Sequence, residues 1–213
     1  MSTTTADHHQ HHDRQDAGDE MSADFPTALA AGDPRAFQPD GVRRTELLAD
    51  VVSAAWGTHG EFIDADQFLT KPTVLRRLVS LLAGRVPPDV DRIVGREPHS
   101  LVLGTGLALE TGLPLVIART APAPSGEELR CFGELHPGER VLVVEGVTGT
   151  GASAERAVLA VRERGATVAG VLAAVDRDRG AESRLGALAV GLDRLFDDRE
   201  LRAAARREQE TPR

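Results

Sequence analysis

The chain has 213 residues, 41% hydrophobic and 27% charged, a balance that suits one globular domain with a tail and argues against two full domains. Aromatic residues are only 3%, with no tyrosine, and the net charge is −8, which argues against the stacking platforms and basic surfaces of nucleic-acid binders. No apolar run approaches the ~20 residues of a bilayer span, so a cytoplasmic protein with neither membrane nor nucleic-acid partners is expected.

The acidity sits at the start. Residues 1–40 carry eight acids (Asp7, Asp13, Asp16, Asp19, Glu20, Asp24, Asp33, Asp40) against Arg14 and Arg35, and so hold −6 of the −8. This stretch lacks periodicity and buries too little apolar surface to offset its ordering entropy. It reads as a disordered acidic tail and linker, and His8, His9, His11 and His12 within it have no carboxylate framework that would make them a metal site. The ordered domain is expected over residues 41–201, with a charged C-terminal tail over 202–213.

Leu47, Leu48, Val51 and Val52 recur at helical spacing and predict a first helix over about 43–55. Residues 61–64 (Glu-Phe-Ile-Asp) read as a short strand. Pro72 opens a second helix over 72–84, with Leu75, Leu78, Val79 and Leu82 on one face. The rhythm then becomes strand–helix–strand. A strand at 91–94 ends at Gly95, a helix over 100–111 is closed by Gly112, and a second strand covers 115–118. A proline-rich excursion follows at 121–126. Cys131, the single cysteine, excludes an internal disulfide and has no evident histidine–acid partner, so an inert small residue is expected.

The clearest unit begins at 141–144 (Val-Leu-Val-Val), an apolar run of the kind that needs both sheet faces covered. A Gly/Thr-rich turn leads to a helix at about 153–164, ended by Gly165, and a strand over 168–175. Successive crossovers of this kind predict an α/β fold: a central, mostly parallel sheet flanked by helices. Ligands in such sheets sit at the carboxyl ends of the strands, where Gly95, Arg119, Glu145 and Asp176 fall.

The turn EGVTGTGAS carries the chemistry. Gly146, Gly149 and Gly151 allow close approach of backbone to an anion, while Thr148, Thr150 and Ser153 add hydroxyls ahead of a helix N-terminus. With Val147 and Ala152, residues 147–153 form a candidate phosphate cradle, and Glu145 is placed for sugar hydroxyls. No lysine follows the last glycine, so this is not a nucleoside-triphosphatase loop, and the spacing does not match a dinucleotide fingerprint.

This turn resembles the phosphoribosyl-pyrophosphate (PRPP) loop of type I phosphoribosyltransferases, and its context is similar to the orotate-specific branch. The supporting stretches are GELHPGERVLVVEG, the strand 113–119 ending in Arg119, Val175-Asp176-Arg177 before Gly180-Ala181, and Phe62-Ile63-Asp64 before Lys71-Pro72. The resemblance covers roughly residues 43–201. It implies a small N-terminal hood and transfer of 5-phosphoribosyl from PRPP to orotate, giving orotidine monophosphate and pyrophosphate, with magnesium held through PRPP rather than directly by the protein. Carried onto this chain, Val147 to Ser153 hold the 5′-phosphate and Glu145 the ribose hydroxyls. Gly95, Arg96 and Arg119 lie on the pyrophosphate side, with Arg119 and Glu145 catalytic. Phe62, Thr148 and Arg177 meet the acceptor, Arg177 clasping its carboxylate. A homodimer is implied by the resemblance alone.

The chain differs from that pattern at three places. Gly146 stands where a second acidic residue is usual, residues 120–130 contain Arg130 but no lysine or histidine, and Pro98, His99 and Ser100 replace a glycine-rich turn. Two further readings stay open on those differences: a catalytically impaired relative that binds PRPP or a nucleoside monophosphate as a sensor, and phosphoribosyl transfer to another acceptor.

Overall fold

The computed structural model describes residues 44–55, 64–123 and 126–210. Phe62 and most of the expected strand at 61–64 lie outside these residues, as does the N-terminal stretch.

The sheet has six strands in the order β3-β2-β1-β4-β5-β6. They are β1 (Arg92–Arg96), β2 (Leu115–Ala123), β3 (Gly126–Phe132), β4 (Arg140–Thr148), β5 (Thr167–Asp176) and β6 (Leu192–Asp197). All neighbours pair in parallel except β2 and β3, which form an antiparallel hairpin at one edge. The helices are α1 (Arg44–Ala55), α2 (Ala65–Leu69), α3 (Pro72–Ala83), α4 (His99–Thr111), α5 (Ala152–Glu163), α6 (Ala181–Gly186) and α7 (Asp198–Glu210). Among the described residues no helix is long and apolar enough to cross a membrane.

The apolar run in β4 has the reason expected for it. Leu142 and Val144 join a core with α1, α2, α3, α4 and α7, whereas Val141 and Val143 join a second core with α5 and Leu185 of α6. Alternate side chains of one strand thus serve opposite faces, and both faces are covered by helices.

Three elements differ from the sequence reading. Of the stretch 121–126 expected as an excursion, residues 121–123 continue β2 and Gly126 opens β3, the two residues between lying outside those described. Pro122 is accommodated there because β1 ends opposite Ala118, so β2 has no second neighbour needing a Pro122 N–H. Asp64 is the N-cap of α2, its carboxylate accepting from the Asp66 N–H at 3.0 Å. The boundary expected at residue 201 falls inside α7, whose Leu201, Ala204 and Ala205 are buried.

Candidate functional site

The chain steps from β1 outward to β2 and β3, then returns to the other side of β1 to lay down β4, β5 and β6. The carboxyl ends of β1 and β4 therefore flank the switch point, where helices leave on opposite sides and a crevice opens. Arg96 ends β1 and Glu145 lies near the end of β4, with Arg96 Nε 3.8 Å from Glu145 Oε1. Glu145 is 2% exposed. Its Oε2 accepts from the Ser100 hydroxyl at 2.5 Å, while Oε1 and Arg96 Nε have no hydrogen-bond partner. Burial pushes the Glu145 carboxyl above its ordinary value, opposed by the Ser100 hydrogen bond and the charges of Arg96 and His99.

Beyond Glu145, β4 runs to Thr148 and the chain turns into α5. The turn is fastened through its carbonyls: Thr148 O accepts from Arg177 N at 2.9 Å, Gly149 O from Ala181 N at 3.1 Å and Thr150 O from Arg184 Nε at 2.8 Å. No amide from Gly149 to Ser153 donates a hydrogen bond among the described residues. Anchored carbonyls leave the N–H groups as unpaired donors where the α5 dipole is positive. Gly151 makes the bend with φ +75°, and a Cβ there would lie 2.9 Å from the Ala181 Cα. Only glycine fits both the backbone angle and the space.

A cavity of about 290 Å³ joins these groups, lined by Arg96, Glu145, Val147, Gly149 and Thr150 together with Arg177, Arg179 and Asp64. Arg177 is 8% exposed, its Nε 3.5 Å from Asp198 Oδ1 at the start of α7. His99 and Ser100 line the same cavity, and His99 Nδ1 lies 2.5 Å from Asp66 Oδ1 of α2.

The structure thus brings together Arg96, Glu145, Val147, Gly149, Thr150 and Arg177. Thr148 is buried, Ala152 and Ser153 open α5, and Phe62 lies outside the described residues. Arg119 is not brought to the cavity: it lies on β2 with its guanidinium 3.9 Å above the Phe132 ring. Gly95 has a packing reason, since a Cβ there would stand 3.2 Å from the Leu101 Cα of α4. Asp176 is 2% exposed and lines a separate concavity with Asp178 and Gly180. Cys131 is buried, which raises its thiol above the ordinary value.

Sequence reasoning missed Ser100 and Arg179 as cavity residues. Arg179 sits two residues beyond Arg177 and its signal was local. Ser100 meets Glu145 across 45 positions, with no local signal. A Cβ at Gly146 would lie 2.9 Å from Leu69 Cδ1 of α2, so a side chain there would require the end of Leu69 to shift.

No family model matches the chain. It is 39% identical over 129 residues to the orotate phosphoribosyltransferase of Thermococcus kodakarensis, covering 59% of this chain and 70% of that protein. It is 38% identical over 155 residues to the Methanosarcina acetivorans orotate phosphoribosyltransferase, covering 67% and 83%. The Mycobacterium tuberculosis orotate phosphoribosyltransferase in complex with PRPP superposes with a TM-score of 0.62 at 24% identity, covering 74% of this chain and 98% of that one.

Proposed function

The chain belongs to the type I phosphoribosyltransferases, among the orotate phosphoribosyltransferases, and from that premise we propose that its cavity binds PRPP and transfers the 5-phosphoribosyl group to orotate. One observation carries this reading: Gly149 and Thr150, whose amides donate no hydrogen bond among the described residues, line the same cavity as Glu145, whose buried Oε1 has no hydrogen-bond partner. Free donors suit a phosphate monoester, and a carboxylate oxygen without a donor suits a sugar hydroxyl.

In this reading the turn fixes the 5′-phosphate and Glu145 fixes the ribose. Arg177 clasps the orotate carboxylate, which a guanidinium matches bidentately. The anomeric C–O bond to pyrophosphate breaks and a C–N bond to orotate forms as that ring nitrogen gives up its N–H proton, which the departing pyrophosphate can take, with positive charge developing on the ribosyl group and negative charge on the leaving group. Arg96 is the cation at that side of the crevice, and the fixed geometry holds the two reactants in line while limiting water. Among the described residues no three His, Cys, Asp or Glu side chains converge into a metal site. A magnesium ion, where one is used, would be carried on PRPP and would offset the charge of the leaving pyrophosphate.

Arg119 favours a second reading. With its guanidinium on Phe132, and Arg130 paired to Glu128 at 3.2 Å, neither hairpin cation reaches the cavity within the chain. Binding of PRPP or a nucleoside monophosphate without transfer is consistent with that arrangement. A homodimer that lends the hairpin to a neighbouring cavity is the arrangement that would supply the cations.

Calorimetric titration with PRPP and with orotidine monophosphate, each with magnesium, alongside a pyrophosphate-release assay, separates these readings. Binding with orotate-dependent release is the expected result. Binding without release selects the sensor, release with a different base selects another acceptor, and no binding overturns all three. Sedimentation during turnover tests the dimer.

A further inference from the structure

Resting on the sugar-phosphate reading above, we propose that Ser100 is a positioning residue that makes the site select ribose over deoxyribose, by committing one oxygen of Glu145 and leaving the other for a ligand hydroxyl.

Ser100 is 1% exposed and is the second residue of α4. It does not cap its own helix. Its hydroxyl reaches across the switch point, donating to Glu145 Oε2 at 2.5 Å and accepting from the Gly146 N–H at 3.3 Å. A hydroxyl has one proton to give, so these two contacts set its orientation completely on the donor side. The Gly146 amide directs the Ser100 oxygen, and the Ser100 proton directs Glu145.

The consequence falls on Oε1. It is buried without a hydrogen-bond partner, and its nearest cation, Arg96 Nε, is 3.8 Å away, beyond hydrogen-bond reach. A buried acceptor left in this state is costly, and the cost is relieved by a donor arriving in the crevice. An anionic oxygen of phosphate cannot supply a proton, whereas a sugar hydroxyl can. Asp64 also lines the cavity, but its carboxylate caps α2, accepting from the Asp66 N–H at 3.0 Å and from Gln67 Nε2 at 3.4 Å, whereas Glu145 Oε1 has no hydrogen-bond partner. The sugar preference then rests on a carboxylate held by Ser100.

The charged groups around Glu145 come from several elements: Arg96 from β1, His99 from α4, and Arg177, Arg179 and Asp64 across the cavity. The Ser100 hydroxyl is the donor that fixes Oε2.

The test compares the unaltered protein with Ser100→Ala, Ser100→Cys and Glu145→Gln by calorimetry, using ribose 5-phosphate, 2-deoxyribose 5-phosphate and inorganic phosphate. The unaltered protein is expected to prefer ribose 5-phosphate about tenfold, the scale of one hydrogen bond to a charged acceptor. Ser100→Ala is expected to shrink that preference to about twofold or less, leaving phosphate affinity unchanged, with Ser100→Cys intermediate because a thiol is a weak donor. Glu145→Gln is expected to lose the preference too. Full preference retained in Ser100→Ala overturns the proposal, as does equal weakening of all three ligands, which would mark Ser100 as merely structural. If the unaltered protein binds phosphate and both sugars equally, the phosphate turn stands and the Ser100 proposal falls. If it binds none of them, the sugar-phosphate reading itself fails.

Discussion

Two strand-to-helix turns flank the switch point, one from β1 into α4 and one from β4 into α5, and they are built in opposite ways. In the first, Pro98 contributes no N–H, the His99 ring is held by Asp66, and the Ser100 hydroxyl is turned onto Glu145. In the second, the side chains are small and the carbonyls are fastened to Arg177, Ala181 and Arg184, so the amides are left as donors. Both turns occupy the same topological position. On the proposed reading, what separates an anion cradle from an ordinary crossover is where the carbonyls are anchored and whether side chains stay out of the way.

The most disruptive way to break this contrast is Gly151→Ala. The left-handed backbone and the Ala181 contact at 2.9 Å together are expected to cost about 2–4 kcal/mol in urea unfolding. Sugar-phosphate binding is expected to vanish with it. Gly186→Ala in α6 is the control: nothing lies within 4 Å of a Cβ there, so stability is expected to hold or rise slightly. Equal effects at the two glycines would show that the α5 turn is not specially constrained.

A smaller effect is expected from Gly146→Asp, which restores a second acid beside Glu145. Because Leu69 Cδ1 lies 2.9 Å from the added Cβ, the substitution is expected to cost about 1–3 kcal/mol. Leu69→Ala in the same chain is expected to absorb part of that cost, so that the double variant is more stable than the sum of the single losses predicts. A fully additive pair would mean that α2 does not set the identity of residue 146.

The contrast extends to pH through two acids at opposite ends of β4. Burial raises the Glu145 carboxyl, so the folded protein holds that proton more tightly than the unfolded chain does. Its contribution to stability is present below the ordinary value of 4.5 and is lost as pH rises through the raised folded value. Glu139 behaves oppositely: the hydrogen bond from Arg92 and the His136 N–H hold it down at about 2, so its contribution is present above 4.5 and is lost as pH falls toward 2. Glu145→Gln should therefore remove a downward slope of stability with rising pH, and Glu139→Gln an upward one at acid pH. A slope of the wrong sign for either residue in urea titrations across pH would contradict the placement of that residue.

The parts of the fold that were legible share a cause. The strands at 92–96, 140–148 and 167–176 are short apolar runs beside glycines, and the α5 turn is a contiguous stretch, so chain-local chemistry exposes them. The hairpin strand β3 was hidden because its outward residues Glu128 and Arg130 alternate with Leu129 and Cys131 over only a few positions after a Pro-rich segment. The five-residue α2 is too short for helical periodicity. In the site, Glu145 was legible because an apolar strand delivers it to an edge. Ser100, and the crowding beside Gly146, depend on contacts made only after β1, α2 and β4 have come together.

Arg119 sharpens the contrast with the least disturbance. It was expected beside the pyrophosphate, yet its guanidinium rests 3.9 Å over Phe132 on the hairpin. An exposed pair of this kind contributes about 0.5–1 kcal/mol, so Arg119→Ala is expected to lower stability by that amount and leave ribose 5-phosphate affinity unchanged. Phe132→Leu is expected to remove the same interaction. The double variant should then lose less than the two single losses combined, because the second substitution finds the contact already gone. A tenfold drop in ribose 5-phosphate affinity on Arg119→Ala would instead place the guanidinium among the ligand-binding groups, and the hairpin would join the cavity wall rather than stand apart from it.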